Sequence, residues 1–309
     1  MPSQDAASGL EPLETTVRPA LPVDLGLTLG PLRRGRDPSM RVDRWGRWWR
    51  ATLTPQGPAT ACYASEGCGT VAVWAWGPGA AWCLETAPEL LGGRDRLDGF
   101  DPGGLVGELH RRLPGLRIAR SLAVFEALVP TILEQKVTGK EARASFHALV
   151  RAWGSPAPGP APLLVPPGAE LLARTPYWEF HPLGVERKRA IAIRAAAGSA
   201  TRLEALSALA PPEARRRMQA VPGIGPWTAA EVALVALGDP DAVPVGDFHL
   251  PHLVSNALAG EPRGSDERML ELLAPFAGHR GRVIRLLARS GLWSPRRGPR
   301  MAVRSFKRI

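Results

Sequence analysis

The residues with the clearest chemical meaning lie between positions 221 and 258, which read VPGIGPWTAAEVALVALGDPDAVPVGDFHLPHLVSNAL. A helix predicted over 211–220 runs into Pro222-Gly223-Ile224-Gly225, and a second helix is predicted over 226–238. Two glycines one residue apart let the backbone take positive φ and come close to another surface. Pro226 suits the first turn of a helix. The start of that helix offers unpaired N–H groups and the positive end of its dipole. Helix, glycine hairpin, helix is therefore a device for gripping one phosphate without reading a base. Gly223, Gly225 and Thr228 are its candidate contacts, with His249 as a further one. The bare Gly-x-Gly pattern also serves ordinary helix–helix turns, and the flanking Pro222, Pro226 and Thr228 sharpen it. Asp247 follows Gly225 by 22 residues and opens a helix predicted over 247–259, where a carboxylate acts as an N-cap. Asp247, His249 and His252 superficially resemble metal ligands. Their spacing matches no metalloenzyme pattern such as His-Glu-x-x-His, so no metal is expected.

The elements that must position these residues form two textures. Residues 48–54, 58–64 and 70–76 are short runs with β-branched or aromatic residues between turn clusters, and 78–91 reads as a helix ended by Gly92-Gly93. Six of the ten tryptophans fall here (Trp45, Trp48, Trp49, Trp74, Trp76, Trp82), as expected for the filling of a small sheet. From residue 104 the texture is helical, with helices predicted over 104–113, 121–135, 138–153, 186–197, 201–209, 211–220, 226–238, 247–259, 265–274 and 279–290. A Pro/Ala/Gly stretch, 155–167, reads as an exposed linker. The expected fold is α+β, mostly α-helical behind a small N-terminal sheet. Its divisions are a loose tail 1–14, a sheet domain 15–103, a helical domain 104–295 and a basic tail 296–309.

Charge is distributed unevenly over the 309 residues. Positions 1–100 hold 10 Lys+Arg against 11 Asp+Glu, and the remainder of the 39 and 29, namely 29 against 18, lies after residue 100. A basic helical region points to a polyanionic partner, nucleic acid first among them. The three cysteines, Cys62, Cys68 and Cys83, are too few for an iron–sulfur cluster or a four-thiolate zinc site and lack the pairing of a disulfide framework. No run of about eighteen apolar residues exists, so no membrane span is expected, and the absence of a signal-peptide pattern leads to a cytoplasmic expectation.

With these residues in view, VPGIGPWTA followed by Asp247 resembles the helix–hairpin–helix DNA glycosylase superfamily. ILEQKVTGKEA (132–142) and LGVERKRA (183–190) resemble segments of its 3-methyladenine DNA glycosylase II branch. The resemblance covers roughly 104–292. It implies a monomer that flips a damaged nucleotide out of double-stranded DNA and hydrolyses its N-glycosidic bond, with Asp247 as the catalytic carboxylate. Where the superfamily's lyases carry a lysine, this chain has Trp227, which implies a monofunctional enzyme with no Schiff base. In the alkyl-purine branch an aromatic there lines the base pocket; Phe248, Trp178 and Glu134 are further pocket candidates. Gln135 or Lys136 falls where related enzymes fill the gap left by the flipped base. Glu231 departs from the branch, which often has an aromatic at that position; with Glu134 and the WEFH stretch it leaves room for a deaminated base or crosslink adduct as substrate, and the hairpin kept only as a backbone clamp would make a DNA-binding protein without catalysis. No cofactor is implied beyond a monovalent cation on the hairpin's backbone carbonyls.

Overall fold

Alternation of side chains along a strand gives a sheet two faces, and here both are covered. The computed structural model describes residues 11–293. Its strands β1 (Leu13–Val17), β2 (Met40–Val42), β3 (Trp48–Thr54), β4 (Gly57–Glu66) and β5 (Thr70–Trp76) form one antiparallel sheet of order β1-β5-β4-β3-β2. Residues 1–10 and 294–309, which include the basic tail and most of the expected N-terminal one, lie outside the described residues. The loose stretch expected over 1–14 nevertheless ends early. Leu13 pairs with Ala75 and Glu14 with Trp74, whose Nε1 donates to Glu14 Oε2 at 3.1 Å. The side chains of 13–16 are exposed, so composition carries no sign of the strand.

One sheet face, with Ala59, Ala61, Tyr63, Val71, Val73 and Ala75, packs on α1 (Leu25–Leu29) and α2 (Ala80–Leu90). The other face carries Trp49, Trp74 and Trp76, with Trp49 and Trp76 stacked at 5.5 Å. What covers it is the stretch 155–167. Expected as an exposed linker, it instead forms a two-strand ribbon, β6 (Ser155–Pro156) and β7 (Leu164–Val165), and buries Leu163 and Val165 against the tryptophans. Ala157 and Ala161 of the same stretch pack against this cluster too, a burial that loop-like composition does not reveal. Trp45 is the exception among the six: it is 63% exposed, with Arg44 and Arg47 over its ring. Burial pushes the Cys62 thiol up to about 12 and Cys83 up to about 11, leaving both inert at neutral pH.

The helices build two further cores. One gathers α4 (Val124–Leu133), α5 (Gly139–Trp153), α6 (Ala169–Arg174), α7 (Arg187–Gly198), α8 (Ala200–Glu204), α9 (Pro211–Met218) and α10 (Pro226–Val232). A buried π turn, Ala233–Leu237, extends α10, and its Val235 and Ala236 carbonyls accept from the N–H groups of Ser121 and Leu122. The other core joins α11 (Leu250–Ala259), α12 (Asp266–Leu273) and α13 (Arg280–Arg289) to a much earlier segment: α3 (Gly104–Arg112), Phe100, Leu116 and Ile118. The chain therefore passes between the cores twice, near 118–124 and near 239–249, and Asp247 stands on the second passage. Helix α3 was legible, but its partners were not.

Helix α4 starts three residues later than expected and has no cap from its own Ala123. Its first N–H groups are satisfied from a distance. Glu204 Oε2 accepts from Val124 N at 2.8 Å and Oε1 from Phe125 N at 2.9 Å. Burial pushes this carboxyl up, against the pull of those two donors. Glu204→Ala strands both donors in the interior and is expected to cost about 2 kcal/mol. Urea denaturation measures this, and an unchanged midpoint would refute the capping role.

Candidate active site

The site grows from the turn between α9 and α10. Gly223 has φ +89, and a Cβ there would lie 2.5 Å from Ala192 Cβ on α7, so conformation and packing both require glycine. Gly225 differs from the expectation of a shared reason. Its φ is −94, and nothing lies within 4 Å of a Cβ placed on it. It keeps open the space at the start of α10, where Pro226 takes the first helical position.

Trp227 stands in that first turn, and its Nε1 donates to Asp247 Oδ2 at 2.9 Å. Asp247 Oδ1 accepts from His249 N at 2.7 Å and Leu250 N at 2.9 Å. The carboxylate thus takes three N–H donors, one from α10 and two from the start of α11. Helix α11 begins at Leu250 rather than at 247, so Asp247 serves its N-terminus from two residues ahead of the cap position, His249. The preceding turn is fixed as well: Gly246 has φ +90 and donates its N–H to Asp266 Oδ2 at 3.0 Å. The carboxylate is half-buried at the edge of the hairpin, and Phe248 beside it is 78% exposed, its ring edge-on to His249 and His252.

The segment after α4 closes in from the opposite side. Gln135 Nε2 donates to Gly223 O and to Thr228 Oγ1, both at 2.9 Å, bracing the hairpin. One hairpin carbonyl is thereby engaged by a side chain. Thr228 is 2% exposed with its hydroxyl turned to Gln135, so its side chain is not on the surface a phosphate reaches. Lys136 is exposed and holds φ +55, a left-handed conformation that costs a non-glycine residue energy. Of the two gap-filling candidates, one is tied back and the other projects. Glu134 meets Arg34 of the sheet domain, Arg34 Nε lying 3.3 Å from Glu134 Oε1. Trp178 is 60% exposed in the 3₁₀ turn Tyr177–Leu183, and its ring meets Tyr177. Among the described residues, no hydrogen bond or ring contact brings it to Asp247. His249 is exposed, with its backbone N–H on Asp247.

Sequence reasoning missed two charged groups that act on Glu231, Arg34 and Arg285. The first lies in an Arg-rich run of the sheet domain and the second on an otherwise ordinary amphipathic helix. Neither has a local pattern that marks it. Glu231, one turn beyond Trp227, is half-buried. Burial pushes its carboxyl up, Arg285 and Arg34 pull it down, and Glu134 and Asp247 add to the rise.

No protein-family model matches the chain. A stretch of 145 residues is 37% identical to a Mycobacterium tuberculosis protein described as "Probable bifunctional transcriptional activator/DNA repair enzyme AlkA". The match covers 45% of this chain and 28% of that protein, so the chain spans less than a third of the relative's length. Among solved structures, the 3-methyladenine DNA glycosylase of Archaeoglobus fulgidus superposes with a TM-score of 0.76 at 21% identity, over 89% of this chain and 97% of that one. An 8-oxoguanine glycosylase/lyase of Clostridium acetobutylicum, bound to double-stranded DNA containing cytosine opposite 8-oxoguanine, gives 0.69 at 14% identity, over 89% and 95%. A Schizosaccharomyces pombe 3-methyladenine DNA glycosylase with abasic DNA gives 0.51 at 16%, over 62% and 93%. At these identities the structural likeness is one of fold.

The Gln135 brace is directly testable. Gln135→Ala removes both bonds, and amide hydrogen exchange across 221–228 is expected to accelerate about fivefold to tenfold, in line with roughly 1 kcal/mol of lost local stability. Unchanged exchange there would show that the hairpin does not need the brace.

Proposed function

We propose that this chain, a member of the helix–hairpin–helix DNA glycosylase superfamily, is a monofunctional hydrolase that removes alkylated purines from duplex DNA. The observation that carries the reading is the Asp247 carboxylate, held by Trp227, His249 and Leu250 at the open edge of the glycine turn. With the damaged nucleotide turned out of the helix, this group sits beside the deoxyribose. The sugar–base bond breaks through a state with positive charge on C1′. A preorganised carboxylate stabilises that charge and orients the attacking water. Alkylation at N3 or N7 makes the base a cation and a good leaving group, so little general-acid help is needed. The indole of Trp227 then serves twice, fixing the carboxylate through Nε1 and offering its ring face to a cationic base.

The open backbone at Gly225 and the start of α10 suit a phosphate of the bound strand. Lys136, exposed at positive φ, supports a reading in which it fills the vacated stack while its neighbour Gln135 braces the hairpin. Phe248, exposed beside Asp247, is available to the base or its sugar. At the position where a lyase needs an amine there is an indole, so the product is an intact strand with an abasic site.

Duplexes carrying 7-methylguanine, 3-methyladenine, hypoxanthine or uracil test the reading. Base release is expected from the methylated purines, with strand scission only after alkali. Asp247→Asn should lower the rate at least about a hundredfold while abasic-DNA binding persists. Equal rates for variant and parent would remove Asp247 from the mechanism, and scission coupled to a borohydride-trapped adduct would overturn monofunctionality. Trp227→Phe, which keeps a ring but not the N–H, is expected to lower kcat roughly tenfold with little change in abasic-DNA affinity. A variant with the parent's kcat would show that the indole N–H does not position the carboxylate.

A further inference from the structure

We infer that Lys140, Arg143 and Arg36 form a phosphate track for the undamaged, complementary strand, built across the seam between α5 and the sheet domain. The inference rests on the glycosylase reading, which puts the damaged strand at the hairpin and Lys136 in the vacated stack. It adds where the other strand lies and what holds it. The seam is a packed one. Arg34 Nε lies 3.3 Å from Glu134 Oε1 at the end of α4, and the Arg34 carbonyl accepts from His147 Nε2 on α5 at 2.6 Å. The next residue, Gly35, has φ +68, and a Cβ there would lie 3.0 Å from Arg143 Cδ. A Cβ on Gly139, the first residue of α5, would lie 3.0 Å from Arg143 Nη1. The Arg143 side chain thus runs back over the start of its own helix, as helical side chains lean, and along the backbone of the arm that carries Arg36.

Two elements therefore bring one sign of charge to one surface. Arg36, Lys136, Lys140 and Arg143 are all exposed. The acids of the seam are engaged with other groups: Glu134 with Arg34, Glu141 with the Thr138 backbone N–H and hydroxyl, and Asp37 with Arg34 N and with Ser39. Cations gathered at the first turn of α5 also oppose the dipole of that helix, and a phosphate relieves the conflict. Lys140 and Arg143 are separated by about 4.5 Å of helix rise, close to the ~3.4 Å of duplex axis per phosphate on one strand, so their long side chains reach successive phosphates. Chain order supplies the strand. Gln135 is tied to Gly223 of the hairpin, Lys136 follows it, and Lys140, Arg143 and the arm come after. With the hairpin on the damaged strand and Lys136 in the stack, the groups beyond Lys136 meet the partner strand. Such contacts set position and affinity and read no base.

The test pairs charge removal on the protein with charge removal on the DNA. Duplexes with a tetrahydrofuran abasic analogue carry a window of three methylphosphonates, moved along the complementary strand or along the damaged one, and are bound by the parent and by a variant combining Arg36→Gln, Lys140→Gln and Arg143→Gln. One window on the complementary strand is expected to weaken the parent about tenfold. The variant should bind the unsubstituted duplex about tenfold more weakly than the parent, with a salt slope shallower by about two to three, and lose at most about twofold more at that window. Windows on the damaged strand should weaken variant and parent alike, which shows that the variant is folded and keeps its grip at the hairpin. A parent indifferent to every complementary window, a variant with the parent's affinity, or losses that simply multiply would each overturn the track. The glycosylase reading fails separately, if the parent releases no methylated purine and binds the abasic duplex no better than an undamaged one. A parent that releases the base but ignores the complementary windows refutes the track alone.

Discussion

Everything in this site depends on three N–H groups converging on one carboxylate. Trp227 reaches Asp247 from α10, in the core built by α4 to α10, while His249 and Leu250 reach it from the first turn of α11, in the core built with α3, α12 and α13. The side chain is thus a junction between two separately packed bodies. Its position depends on how those bodies meet, and the helices have to be rigid for the carboxylate to be fixed. That accounts for the density of bracing around it: Gln135 on the hairpin, Asp266 on Gly246, and Asp241 accepting from the backbone N–H groups of Gly278 and Arg280. Each bond satisfies a backbone group in a turn or at a helix start, where the regular ladder supplies no partner.

Much of this was legible in the chain because local chemistry was enough to show it. A glycine at positive φ, a proline at a helix start and a period of 3.6 are signals written within a few residues, and the hairpin, Asp247 and most helix spans follow from them. What stayed hidden was contact between distant residues. Composition cannot show that Glu204 caps α4 from eighty residues away, that Arg50 and Thr52 of the sheet hold Glu126 of α4, or that Arg34 pairs with Glu134. Gly225 shows the reverse failure. It shares a motif with Gly223, but its reason lies in empty space outside the chain, which no pattern of neighbours encodes.

The sheet domain is also more closely joined to the site than its texture suggested. The Arg50–Glu126 pair and the Thr52 hydroxyl dock the sheet on α4 near that helix's beginning, and Arg34 docks it again at Glu134, at the end. Helix α4 is clamped at both ends by the same neighbouring layer, and the segment that follows carries Gln135 and Lys136. A role in holding that segment requires no direct contact with nucleic acid.

The chain's double passage between cores also bears on the order in which the molecule is made. Helix α3 is made early, with only neighbours such as Phe100, Leu116 and Ile118 to pack on until α11, α12 and α13 have been synthesised, well over a hundred residues later. The core of α4 to α10 can condense first, because its members are consecutive. The nascent chain therefore carries α3 largely uncovered until those helices are made, and loop closure over that distance is slow. Trp227 precedes the carboxylate it holds by only 20 residues, but Asp247 is fixed in place only once α11 packs with α12, α13 and α3, so the hairpin can form as a structure before it can take part in any chemistry.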